Sequence, residues 1–256
     1  MNKKCAKLSM FFLALSLILT VSSCNIGGLP GPLGFVVKTT AADEDYVDFG
    51  TMENFTASGD WAVIEKVKLP DDYTTGGWHV FRGKAWEDKE GDIAISLRPD
   101  QVYGWLFRSG YGWYNLGFDA TFHSERWYTI CMQYDSDADT LSFYVDGSLR
   151  DSESGVPMLD DSGNTNKLFF GGQDVDAGWG EGDLYTEADI VIAHQAWFQR
   201  TLSTTEISKY DGTLDAVADL NLFFETSIDD LGISDVSGGG HNGTNGNSPE
   251  FFLDQL

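Results

Sequence analysis

The chain has 256 residues, with 16 Lys and Arg against 40 Asp and Glu, a formal net charge of −24. A surface this acidic repels phosphate backbones and anionic headgroups, which argues against nucleic-acid binding and against direct electrostatic attachment to a membrane. The length suffices for one large domain with a substantial core, and aromatics at 14%, including eight Trp, can serve both core and surface.

In chain order, the N-terminus reads as an export signal. Lys3, Lys4 and Lys7 form a basic region, Leu8 to Val21 an apolar run short for a membrane span, and Ser22 and Ser23 a small-residue cleavage site. Val21-Ser22-Ser23-Cys24 resembles the bacterial lipobox, and that resemblance implies a lipoprotein signal over 1–23, cleavage before Cys24 and acylation of Cys24. An ordinary secretory signal is the alternative. The protein is thus expected to be exported and held by lipid at the cell surface or in the periplasm. Removing the signal takes away three of the 16 basic residues and none of the 40 acidic ones, leaving −27. Cys131 is then the one cysteine besides Cys24, so no intrachain disulfide is expected and Cys131 reads as a small buried hydrophobe.

Residues 24–45 are rich in Gly and Pro and end in KTTAADED, which reads as a tether, with a strand over Phe35 to Val37 as the alternative. A domain over 46–256 follows. YVDFG, Trp61 to Leu69, Trp78 to Gly83, Asp92 to Leu97, Gly104 to Phe107 and Trp113 to Phe118 read as short strands, separated by Gly, Pro, Asp or Ser. Such spacing predicts an all-β sandwich or barrel. Trp127 to Arg150 reads as two antiparallel strands and the start of a third. Ile130, Met132 and Tyr134 share one side of the first strand, and Leu141, Phe143 and Val145 one side of the second. Ser136 to Asp139 makes the first turn, and Asp146-Gly147 is the pair a type I′ hairpin favours. Leu168 to Gly171 and a long Tyr185 to Phe198 add strands, the latter with room for a bulge. Ser203 with Glu206 is a capping box, predicting one short helix to about Lys209 or Tyr210. Leu220 to Glu225 reads as a strand, and Gly238 to Asn247 as a loop before Phe251-Phe252-Leu253.

The ordered set WYTICMQYD, LSFYVDGSL, LFFGG and IAHQAWFQRTLSTTEI resembles the laminin-G-like and pentraxin-like branch of the concanavalin-A-like lectin/glucanase superfamily. Arg200, Leu202, Ser203, Glu206 and Ile207 match its closing motif, and YVDFG, SGDWAVIEKVKLP and DVSGGGHNGT also fit. Thr129 stands where that family usually has His, and Ile190 where a Gly is common. The resemblance implies a two-sheet antiparallel jelly-roll sandwich with one short helix, which usually binds glycans or proteins, often with calcium at its rim. It does not imply catalysis.

Glucanases of this fold carry a Glu-x-Asp-x-x-Glu strand whose paired carboxylates, about 5 to 5.5 Å apart, support retaining hydrolysis. Here the pattern is Glu187, Asp189 and then Ile192, so the second Glu is missing and no catalytic residues are assigned. Glu187 and Asp189, with Asp183 and Tyr185, fall on one strand face, where they read as a solvated polar surface or as contacts to sugar hydroxyls or a cation. Asp135 to Asp139 superficially matches the opening of an EF-hand loop but lacks its later Gly and Glu, so it reads as a hairpin tip. Asp48, Asp60 and Asp235, near the domain's two ends, are the candidate calcium ligands, against the alternative of exposed acids.

Trp61, Trp127 and Trp197 lie in alternating strands and are expected in the core. Trp86, Trp105, Trp113 and Trp179 differ. Trp86, Trp113 with Tyr114, and Trp179 sit among Gly and acids, where a ring either stacks on a sugar or pins its loop. The expected function is a non-catalytic, surface-anchored carbohydrate-binding or adhesion module with a glycan or surface protein as partner. The alternatives are a polysaccharide-degrading enzyme and a protein-interaction or structural surface module.

Overall fold

A computed structural model describes residues 33–52, 55–74, 77–85, 89–124, 126–157, 159–160, 164–175, 184–186, 188–210, 222–229, 232–237, 239–246 and 248–256. The leader, Cys24, Trp86, Trp179, Asp183 and Glu187 lie outside these residues. The architecture is all-β with mostly antiparallel pairing and one α-helix among the described residues.

The central hairpins follow the alternation in the sequence. Strands β9 (Tyr128–Asp135), β10 (Thr140–Val145) and β11 (Ser148–Ser154) pair in turn, with Met132 opposite Phe143. Ile130, Met132, Tyr134, Leu141, Phe143 and Val145 all enter the main core. At the second turn Asp146 and Gly147 take φ of 51° and 72°, the left-handed pair a tight hairpin needs. At the first, the side chain that turns the chain is Asp135, whose Oδ1 accepts from the backbone of Asp137 and Ala138.

This unit is one end of a nine-stranded sheet. Beyond β9 come β3 (Trp61–Lys68), β15 (Ile190–Phe198), β1 (Leu33–Thr39) and β19 (Glu250–Gln255), while β16 (Leu222–Ile228) and β17 (Ile233–Asp235) branch from β15. The facing seven-stranded sheet runs β18 (Thr244–Gly246), β2 (Tyr46–Thr51), β12 (Lys167–Phe170), β4 (Val80–Arg82), β6 (Ile93–Leu97), β7 (Gln101–Arg108), β8 (Gly112–Asp119). A third, small sheet joins β14 (Leu184–Thr186), β13 (Gly172–Val175) and β5 (Lys84–Ala85), with a parallel β13–β5 pair. The expected two-sheet sandwich therefore carries an additional sheet. The expected single strand Tyr185 to Phe198 is divided between β14 and β15, and β15 shifts register against β3 between Ile192 and His194.

The stretch expected as a tether, 24–45, contains a strand. Val37 of β1 pairs with Ile192 on one side and Phe251 on the other, and the segment continues into a 3-10 turn at Ala41–Asp43. The physical reason is the short run Phe35-Val36-Val37, which buries Val37 in the main core and Val36 on the sheet's other face. Leu33–Thr39 is thus part of the nine-stranded sheet.

Between the large sheets lie Trp61 and Trp197, both fully buried, with Phe55 edge-on to Trp197 at 4.9 Å. Glu65 and His79 meet there at 2.7 Å, each with no exposed side chain. Because His79 Nδ1 accepts from the backbone of Leu97, its Nε2 carries the proton that binds Glu65. Trp127 departs from expectation: it is half-buried on the outer side of the nine-stranded sheet and donates from Nε1 to the carbonyl of Gln255.

That outer side is capped in part by helix α1 (Thr204–Lys209). Ser203 Oγ accepts from Glu206 N, and Glu206 returns its carboxylate to Ser203 N. Arg200 also binds Glu206 and, as the main cause, holds its carboxyl down at about 2. The helix lays Ile207, with Leu202 and Tyr210, over Ala62, Ile64, Cys131, Ala196 and Phe198. Cys131 is fully buried as expected, and burial pushes its thiol pKa up.

Candidate functional site: an aromatic face on the seven-stranded sheet

Strand β7, QVYGWLFR, alternates strictly. Val102, Gly104 and Leu106 are buried, while Tyr103, Trp105 and Phe107 point to the outer face and keep partial exposure. Strand β8 presents Trp113, Asn115, Gly117 and Asp119 on the same side, because the register sets Phe107 opposite Trp113, Trp105 opposite Asn115 and Tyr103 opposite Gly117. Outward residues of the two strands therefore form one surface.

Its rings contact one another. Phe107 and Trp113 meet edge-on at 5.3 Å, Tyr103 and Trp105 lie 5.1 Å apart, and Trp78 packs edge-on against Trp105 from the segment before β4. Gly117 gives the arrangement room: a Cβ there would lie 2.4 Å from the Tyr103 ring. The Tyr103 hydroxyl donates to Gln101 Oε1, which leaves Asn115 and Asp119 as exposed amide and carboxylate beside the rings. Trp113 is 37% exposed and Tyr111, at the hairpin tip, 71%. Arg108 lies 4.2 Å from the Tyr111 ring and 3.9 Å from Glu90, whose carboxylate also accepts from Ser109 and Asp160 backbone N–H.

A buried network stands behind this hairpin. Asp92 accepts from Asn164, Asn166 and Lys89 N, while its own backbone carbonyl holds Phe107 N. Burial pushes its carboxyl up to about 6 despite these hydrogen bonds.

Chemically, flat rings with adjacent amide and carboxylate groups suit a pyranose, whose C–H face stacks while its hydroxyls bond. Of the candidates read from the sequence, Trp113 belongs to this surface. Tyr114 points the other way and packs against the core. Asp189 does not line this surface: it is 3% exposed and accepts from Ala41 N, Thr74 N and Thr74 Oγ1, tying two loops together. Trp105, set apart from the core tryptophans by the sequence, belongs to this surface too, and the alternation of QVYGWLFR adds Tyr103 and Phe107, which local composition does not mark.

The proposed calcium set does not assemble. Asp48 accepts from Gly50 N and Lys167 Nζ, and Asp60 from Ser136 N and Oγ. Asp235 is occupied by Ser237, His241 and Glu225; burial alone would raise its carboxyl, but those hydrogen bonds hold it below the usual range. Among the described residues no group of three His, Cys, Asp or Glu could hold a metal ion. The three aspartates sit on separate elements, each filled by its own protein donors, so they do not fit a shared cation. Also among the described residues, no helix is long and apolar enough to cross a membrane.

The laminin-G family model of the concanavalin A-like lectin/glucanases superfamily matches residues 41–208. No curated protein matches the chain. Among solved structures, a candidate carbohydrate-binding protein of Bacteroides ovatus ATCC 8483 is 13% identical with a TM-score of 0.57, over 89% of this chain and 61% of that one. A heptameric SAP-like pentraxin from Limulus polyphemus is 10% identical with a TM-score of 0.57, over 87% and 95%. The NanB sialidase of Streptococcus pneumoniae is 17% identical with a TM-score of 0.50, over 70% of this chain and 28% of its own. The chain thus spans less than two thirds of the Bacteroides protein, and at these identities the likeness is one of fold.

Proposed function

The chain belongs to the concanavalin A-like lectin/glucanases superfamily, and from that premise we propose that it is a non-catalytic carbohydrate-binding or adhesion module. The observation that carries this is the outer face of β7 and β8, where Tyr103, Trp105, Phe107 and Trp113 adjoin exposed Asn115 and Asp119. The structural likeness to a Bacteroides protein described as a candidate carbohydrate binder supports it. Asp189 is committed to backbone donors, and Ile192, where glucanases of this fold carry their second Glu, is fully buried in the core. Hydrolysis from that strand therefore forms no part of the proposal. Acylated Cys24 would hold the module at the membrane, with the segment before Leu33 as the spacer.

A surface-protein partner is the second reading. It is favoured by Tyr111, 71% exposed with Arg108 stacked beneath it, since Tyr and Arg commonly anchor protein interfaces.

A glycan array probed with the chain from Asn25 onward, with and without calcium, tests the first reading. The expected result is a defined glycan class lost in Trp105→Ala and Trp113→Ala. Silence on the array with capture of a surface protein through Tyr111 favours the second. Release of reducing sugar from a polysaccharide panel overturns the non-catalytic assignment.

A further inference from the structure

We propose that a second ligand site lies on the opposite side of the sandwich, in a cleft on the outer face of the nine-stranded sheet, and that it takes an amine-bearing sugar. The cleft, of about 500 Å³, opens among β1, β3, β15 and β19 and the turn after β3, beyond the area covered by α1. That volume falls within the ordinary range for small-molecule sites, roughly 300 to 1,000 Å³.

Alternation and register build it. Lys38 lies opposite Val191 and Glu250, Lys68 opposite Val191, and Val36 opposite Phe252, so these side chains share one face. Val36, Val191 and Ala193 form an apolar cluster on that face, with Phe252 and Trp127 packed against it. Both cleft lysines are already neutralised. Lys38 Nζ grips the two oxygens of Asp72 at 2.7 Å, and Lys68 Nζ pairs with Asp254 while lying 5.1 Å from the Trp127 ring. The side-chain carboxylates of Asp71 and Glu250, both exposed, line the same cleft and make no hydrogen bond or ion pair among the described residues.

The cleft therefore combines an apolar floor at Val191, the ring of Phe252 and two exposed carboxylates that form no ion pair among the described residues. A neutral sugar leaves the carboxylates unused, and an inorganic cation leaves the floor and ring unused. A hexosamine with a free ammonium uses all three: its C–H face lies on Phe252 and the floor, and its charge meets Asp71 and Glu250. The site shares no residue with the aromatic face of β7 and β8, so it stands or falls independently of that reading.

The test titrates the chain without its export signal, at roughly pH 6, where an amine keeps its proton. The probes are a glucosamine trisaccharide and its fully N-acetylated counterpart, which has the same rings without the charge. Binding of the amine form and tenfold or greater weakening on acetylation are expected, with Asp71→Asn/Glu250→Gln lowering affinity about tenfold. Trp113→Ala should leave it unchanged. Asp137→Asn/Asp139→Asn removes the same charge from the exposed β9–β10 turn and should have less than a twofold effect. Absence of binding, equal binding of both trisaccharides, or an equal loss in the Asp137/Asp139 variant overturns the proposal. A trilysine peptide bound as tightly through the same residues overturns the sugar assignment in favour of a basic peptide.

Discussion

The two outer faces of the sandwich come from the same strand alternation and meet opposite fates. On the nine-stranded sheet, Ile64, Cys131, Ala196 and Phe198 point outward and are sealed beneath Leu202, Ile207 and Tyr210. On the seven-stranded sheet, Tyr103, Trp105 and Phe107 point outward beside Trp113, which keeps 37% of its surface in solvent. An outward apolar residue thus serves stability where a later element folds over it, and where the face stays exposed it is available for the recognition proposed above. Chain order decides which: the segment that ends β15 turns back as Leu202 and α1 onto its own sheet.

The largest expected effect breaks the capped side. Ile207→Ala should cost about 2 to 5 kcal/mol in denaturant unfolding, since the residue is fully buried, and leave ligand affinity per folded molecule unchanged. Gly147→Val comes next, because φ is 72° and a new Cβ would lie 2.7 Å from Ser208 Cβ on the helix. Strain and overlap together should cost about 1 to 3 kcal/mol; an unchanged melting curve would show that hairpin and helix are not packed as described.

A pH dependence belongs to the same side. Burial first, and the Asp235 charge second, push Glu225 up to about 7, and the carboxylate lies 3.4 Å from His194 Nε2. Between the ordinary Glu value and about 7 the folded chain holds a proton that the unfolded chain releases, so stability falls as pH rises through that window. On the side of the other sheet, behind the β7–β8 hairpin, Asp92 is raised to about 6 and adds the same sign. Glu225→Gln should therefore be more stable than wild type at about pH 8 by on the order of 1 kcal/mol, with the difference vanishing below about pH 4. Parallel pH–melting curves for the two proteins would refute this. The smallest effect is expected on the open side: Gly117→Ala displaces the Tyr103 ring, which can swing into solvent, and should cost under about 1 kcal/mol while weakening any ligand held there.

Most of the capped side was legible in the sequence. Period-two alternation identified β9 and β10, Asp146-Gly147 their turn, and Ser203 with Glu206 the helix start, because each is a local signal acting within a few residues. What depended on distant partners was not legible. Strand β1 lies in a Gly- and Pro-rich stretch where Phe35 to Val37 offered a strand only as the alternative, and the edges of β15 and β19 that decide between the two are distant in sequence. Asp189 looked like an outward carboxylate because nothing local shows that Ala41 and Thr74 donate to it. Composition favoured Trp residues flanked by Gly and acids, which found Trp113, whereas the rest of its surface lay in the plain alternation of β7.

The central claim, that the open aromatic face is the recognition surface, is tested most directly by calorimetric titration of wild type and Trp113→Ala with the glycan the array identifies. Loss of one stacking ring should weaken binding roughly tenfold to hundredfold, by analogy with truncation of interface aromatics. The protein should stay folded with only a modest drop in melting temperature, because Trp113 keeps 37% of its surface in solvent and its ring meets Phe107 edge-on. Full affinity in a folded Trp113→Ala protein would contradict the claim and move the site off this face.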